Sequence, residues 1–278
     1  MARKKIFGKC HICGQESKLS FEHVPPEKAF NNCRIKIYRG TQVIEREDLS
    51  MPWDFRYLKG DILQQGVGNH TLCESCNNNT GSWYGNSYID FVFQGFRALK
   101  NSKRNLEVED INFYEVYPLR IIKQIITMFF SINSPVMAEV QKDLVEFVLN
   151  KKKKYLNNSK YGLYLFFLSG EIFRYAGICS ILKIDKHLIR VVSELATMPF
   201  GFVLEFDPKP EYKTTYNVCD ILSFANLFDF DEKVNIRLKI PLLESNIYLP
   251  LDYRTKEQIF KDRLKNELNK LKKAIMNI

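Results

Sequence analysis

Apolar positions recur along this chain with two different periods. Over residues 82–99, Tyr84, Tyr88, Phe91, Val92 and Phe96 fall at helical spacing and predict a helix. Residues 119–132 and 136–149 predict two more helices, separated by Asn133-Ser134-Pro135. The segment from 161 to about 250 is rich in short apolar and β-branched runs. It predicts strands over 161–168, 172–184, 187–192, 200–206 and 234–240. Helical spacing returns in the tail, 255–278, where Phe260, Leu264, Leu268, Leu271 and Ile275 form a stripe among basic residues. Core packing is the expectation for that stripe.

The first third of the chain is less periodic. Residues 19–23 read as a short extended segment stopped by Pro25 and Pro26. Residues 34–38 and 42–47 alternate about Arg39-Gly40-Thr41, which predicts a hairpin. Residues 49–67 lack a period and read as a surface loop, and the polar stretch 100–110 reads as a linker. The expected organisation is therefore α+β in two domains. One covers 1–100; the other covers 105–278 and holds a helical pair, a β-rich part and a C-terminal helix.

Composition narrows the class. With 278 residues and 45% hydrophobic content, the chain can bury a real core. Its most apolar run, 121–132, is broken by Lys123 and Gln124 and is too short to span a bilayer. The basic N-terminus enters Cys10 with no apolar stretch, so no signal peptide is expected. A cytoplasmic setting with reduced thiols and no membrane association follows as an expectation. The net charge of +9 favours acidic partners, nucleic acid foremost.

The cysteines change the picture most. Of seven, four form two Cys-x-x-Cys pairs, Cys10/Cys13 and Cys73/Cys76, a spacing that suits a structural zinc ion better than disulfides. Cys33, Cys179 and Cys219 read as small buried hydrophobes. Between and after the pairs stand Glu22-His23-Val24-Pro25 and, directly following Cys76, Asn77.

In this order the motifs resemble the HNH endonuclease superfamily, in its zinc-bearing branch with the motif order of endonuclease VII-like members. The resemblance covers roughly residues 8–95. It implies a ββα-metal module, with His23 as general base on an attacking water. It also implies that Glu22 and Asn77 hold a catalytic Mg2+ or Mn2+ while the four cysteines hold structural Zn2+. The implied activity is phosphodiester hydrolysis in nucleic acid, DNA ahead of RNA, with bacterial restriction or anti-phage defence as the setting. Two departures stand out: Glu22 replaces the commoner Asp, and Thr80 occupies a position where such relatives carry Glu. The fifty positions from His23 to Cys73 imply an insertion at about 34–66.

Further candidates carry two readings each. His70 is a strand residue or a phosphate contact, and Trp83 packs under the zinc site or stacks on a base or sugar. His11 is expected to be exposed and His187 structural. The rival to a nuclease is a non-catalytic zinc-stabilised module that binds nucleic acid or protein. The second domain is unassigned, with substrate recognition, sensing or oligomerisation, as a homodimer or with a partner protein, as its expected roles.

Overall fold

The computed structural model describes residues 5–45, 51–101, 108–170, 172–183, 188–208 and 218–276. The chain opens with β1 (Ile6–Lys9), β2 (Glu16–His23), β3 (Ile35–Ile37), α1 (Gly40–Ile44), β4 (Asp61–Leu63) and β5 (Gly68–Cys73). Then α2 (Glu74–Thr80), one π-helical turn (Gly81–Gly85) and α3 (Asn86–Asn101) continue as a single rod. They are followed by β6 (Val108–Val116), α4 (Pro118–Ile132), α5 (Val136–Val140) and α6 (Lys142–Leu149). The rest comprises β7 (Tyr161–Gly170), β8 (Arg174–Lys183), β9 (Leu188–Ala196), β10 (Phe200–Phe206), β11 (Cys219–Asp220), α7 (Phe224–Leu227), β12 (Val234–Ser245) and α8 (Lys256–Met276).

Helices and strands are mixed, as the two periods imply. Strands β1, β2 and β5 form a small antiparallel sheet, and β3 pairs with β4. The large sheet runs β6-β12-β7-β10-β9-β8, with β11 also on β7. Alternation along its central strands assigns each face. Leu163, Leu165 and Phe167 of β7, with Phe200, Phe202 and Leu204 of β10, join the larger core; Tyr164, Phe166, Leu168 and Val203 join the smaller one behind the sheet.

Helix α4 is the centre of the larger core. Pro118 at its first turn supplies a fixed φ and loses no intrahelical bond. Every residue from Pro118 to Ser131 except Arg120 is buried. The same core takes in Cys10, Leu19 and Leu72 near the N-terminus and the inner face of the large sheet. Four polar side chains on this buried helix must therefore find partners inside the protein. Lys123 Nζ donates to the carbonyls of Phe147, Asn150 (3.1 Å) and Lys153 (2.7 Å), closing the end of α6. Thr127 Oγ1 donates to the Lys123 carbonyl at 2.8 Å. Ser131 Oγ donates to Glu22. Gln124 Oε1 has no partner among the described residues.

Several sequence expectations shift. The hairpin about Arg39-Gly40-Thr41 does not form. Gln42 Oε1 accepts from the Arg39 amide at 3.0 Å and starts α1, whose Val43 is buried, so β3 pairs instead with β4 (Ile35 opposite Leu63). The segment read as loop therefore contains a strand. The helix expected from 82 begins at Glu74, because Cys73 caps it by accepting from the Cys76 amide. The helix expected over 136–149 breaks at Gln141 (φ −102, ψ 61) into α5 and α6. Strand β6 begins inside the supposed linker, residues 102–107 of which lie outside the described set, as does His187.

Helix α3 reaches the sheet through Gly95. An added Cβ there would lie 2.1 Å from the Phe200 ring. That ring cannot retreat, because it stacks on Phe91 (4.7 Å) and Phe167 (5.1 Å). Gly95→Ala is expected to destabilise the protein by about 1–3 kcal/mol despite alanine's better helix propensity, as read by urea unfolding.

Candidate functional site

Two backbone turns bring the four cysteines together. In the first, the Cys10 amide donates to the Gln15 carbonyl and the Gly14 amide to the Cys10 carbonyl, both at 2.9 Å. Gly14 takes φ +73, a conformation glycine adopts at little cost. In the second, the Cys76 amide donates to Cys73 Sγ at 3.4 Å, and the Cys73 amide donates across to Cys10 Sγ at 3.3 Å. The four Sγ atoms all lie within 4.8 Å of one another. Zinc–sulfur bonds of about 2.3 Å in a tetrahedron hold sulfurs about 3.8 Å apart, so this donor set fits structural zinc. The hydrogen bond from Cys76 draws the Cys10 thiol down to about 4; the same bond pushes Cys76 up, and burial pushes Cys13 up. A divalent cation is what allows four such thiolates to coexist. His11, expected to be exposed, is half-buried, with Nδ1 3.2 Å from the Phe130 carbonyl of α4.

Strand β2 leads from this cluster to the other candidates. Simple alternation from buried Leu19 would turn Glu22 outward. Pairing with β5 slips between Ser20 (opposite Leu72) and Phe21 (opposite His70), leaving Thr71 as the extra residue of a bulge. Glu22 nevertheless points inward, with 8% of its surface exposed, and accepts the Ser131 hydroxyl of α4. Burial pushes its carboxyl up to about 8, against the lowering effect of the Ser131 bond.

His23 ends the strand, and its Nε2 lies 2.9 Å from the Gln65 carbonyl. A carbonyl only accepts, so Nε2 carries the proton of this bond. Asn77, on the first turns of α2, donates from Nδ2 to Ser20 Oγ (3.0 Å) and to the Phe21 carbonyl (3.4 Å). That fixes its amide with Oδ1 turned away from those bonds. Glu22, His23 and Asn77 all line one cavity of about 330 Å³, which reaches between β2, the π-helical turn and α4.

The remaining sequence candidates lie elsewhere. His70 sits on β5 with its ring 5.3 Å from Phe21 and is not among the cavity's walls. Trp83 is half-buried on the π-helical turn against Tyr84, whose hydroxyl donates to the Val148 carbonyl at 2.8 Å; neither ring lines the cavity. Sequence reasoning passed over four contributors. Asn31 is buried: its Nδ2 donates to the Pro25 and Val67 carbonyls and its Oδ1 accepts from the Val67 amide, each at 2.7 Å, which joins the segment after β2 to the residue before β5. Ser131 and Gln124 come from α4, and Ser20 anchors Asn77. Polar residues at helical spacing on an otherwise apolar helix were the available signal for the two on α4.

No protein-family model, curated protein or solved structure matches this chain.

Two outcomes are expected. Purified protein should carry one zinc per chain by elemental analysis, with Cys76→Ser lowering both the zinc content and the Tm. For Glu22, a folded-state value near 8 against an ordinary 4.5 means that the protonated carboxyl favours the fold at low pH; that contribution fades as pH rises from about 4.5 through 8. Glu22→Gln keeps it. In zinc-loaded, magnesium-free protein, the variant's stability advantage should therefore grow between pH 5 and pH 9 in denaturant titrations.

Proposed function

We propose that this chain is a metal-dependent endonuclease of the HNH type, which hydrolyses phosphodiester bonds in nucleic acid and acts on DNA ahead of RNA. The observation that carries the reading is the convergence of Glu22, His23 and Asn77 on a single cavity beside the four-cysteine cluster. A frame of two antiparallel strands followed by a helix supports the reading.

In this reading His23 Nδ1 takes the proton from the attacking water while the Gln65 carbonyl holds the ring in the required tautomer. Glu22 and the Oδ1 of Asn77 are hard oxygen donors suited to Mg2+ or Mn2+. Such an ion, when bound, relieves charge at the phosphate and at the leaving oxygen. Its charge would also hold Glu22 ionised against the effect of burial. The cysteine cluster joins the knuckle before β2 to the start of α2, and so keeps strand and helix in register. No helix among the described residues is long and apolar enough to cross a membrane, and the +9 charge suits a polyanionic substrate.

A second reading, a non-catalytic zinc module, is favoured by one observation. The Glu22 carboxyl is already satisfied by Ser131 and buried, as a purely structural group would be. Plasmid cleavage separates the two. With Mg2+ or Mn2+ the chain should nick or linearise supercoiled DNA, and His23→Ala should slow this by about 10²–10⁴-fold. A gel shift with no cleavage in either metal would favour the second reading, and full activity in His23→Ala would rule out His23 as the base.

A further inference from the structure

Helix α8 is mounted with its polar side against the protein. Ile259, in its first turn, is buried. Asp262 accepts from Arg254 Nη1 at 2.6 Å, and Arg263 Nη1 donates to Met51 Sδ at 3.6 Å. Ile259, Asp262, Arg263 and Asn266 line a cleft that they share with Val43 and Ile247. At about 100° per residue these side chains lie together on one side of the helix. Phe260, Leu264, Leu268 and Leu271 point away from that side, and each is about half exposed (48–59%). Core packing, the expectation for this stripe, therefore does not occur, and α8 turns its apolar face to solvent.

Every residue from Leu264 to Lys272 is exposed, so the helix leaves the body after its second turn. Unpacked helices of fewer than about 12–15 residues are marginal in water, and the segment 264–276 is no longer than that. It calls for a partner. Leu264, Leu268, Leu271 and Ile275 follow one another at intervals of four, three and four, the d-a-d-a alternation of a coiled-coil seam. Leucine at d with isoleucine at a favours two strands. The a position before Leu264 is Lys261, so the apolar seam begins where α8 leaves the body.

The charges beside the seam point to a second copy of this chain. Lys265 and Lys272 border it at e positions, and Glu267 borders it at a g position. In a parallel pair the g residue of one helix meets the e residue five positions on in the other. That sets Glu267 beside Lys272 of the second copy, twice over by symmetry. An antiparallel pair would set lysine against lysine at the e positions. Glu267 also bonds to Lys270 of its own helix at 2.9 Å, a surface contact worth little. A helix that lies on a lipid surface carries a broader apolar face, and Glu267 would there meet anionic headgroups.

We infer that α8 is a dimerisation helix, and that two copies of this chain associate through a parallel two-stranded coiled coil along Leu264, Leu268, Leu271 and Ile275. Such a dimer carries two cysteine clusters and two candidate sites, whatever those sites do.

The test is sedimentation equilibrium of the whole zinc-loaded chain at low salt. The wild type should show twice the chain mass in the micromolar range. Leu268→Lys should be a monomer that keeps the wild-type zinc content and near-ultraviolet circular dichroism, because Leu268 is exposed within a single chain. Lys272→Glu should weaken the dimer by about tenfold, and Glu267→Lys combined with Lys272→Glu should restore it. A wild-type chain that stays monomeric, or a dimer that survives Leu268→Lys, overturns the dimerisation helix. Tighter association in Lys272→Glu overturns the parallel arrangement. A monomer that cosediments with phosphatidylserine vesicles, and no longer does so as Leu268→Lys, overturns the second copy in favour of a lipid surface.

Discussion

Four sulfurs within 4.8 Å of one another set the geometry of the N-terminal third. They come from a knuckle before β2 and from the junction of β5 with α2, so a single ion across them joins a strand to a helix over about sixty residues of chain. Everything proposed for the site depends on that junction. Glu22 and His23 are carried on β2, Asn77 follows the last cysteine, and Asn77's amide is bonded back to Ser20 and Phe21 of the same strand. Without the cluster, the β2–β5 ladder, Asn31 and the Asn77 bonds to β2 are what hold the strand and the helix start together.

The second constraint comes from helix α4. It is buried on nearly all sides, yet it carries Lys123, Gln124, Thr127 and Ser131. Three of these are satisfied: one closes α6, one folds back on its own helix, and one holds Glu22. The region beyond residue 105 thus reaches into the candidate site, through Ser131 on the carboxylate and Gln124 on the cavity wall. One hydrophobic core runs from Cys10 through α4 to the inner face of the large sheet, and this continuity makes those two contacts precise.

Much of this was legible in the sequence. The cysteine spacing pointed to the cluster, helical periodicity located α4 and α8, and the β-rich run located the large sheet. The order of Glu22, His23 and Asn77 around the cysteines pointed to one site. What escaped the reading has physical causes. The inward turn of Glu22 breaks the alternation of β2 and brings the carboxyl to Ser131, a contact with a distant helix that period-two counting does not display. The β3–β4 pairing joins residues separated by a segment without periodicity, and the Gln42 cap won locally over the hairpin. Gln124 and Ser131 looked like interruptions in an apolar helix, because the partner of Ser131, Glu22, lies on a distant strand.

The most direct test of the account is Mn2+ binding to the zinc-loaded protein, followed by electron paramagnetic resonance of the free ion. The account predicts one Mn2+ site per chain, strongly weakened in Glu22→Gln while the zinc content stays at one. The absence of any Mn2+ site, or a site whose affinity is unchanged in Glu22→Gln, would contradict it.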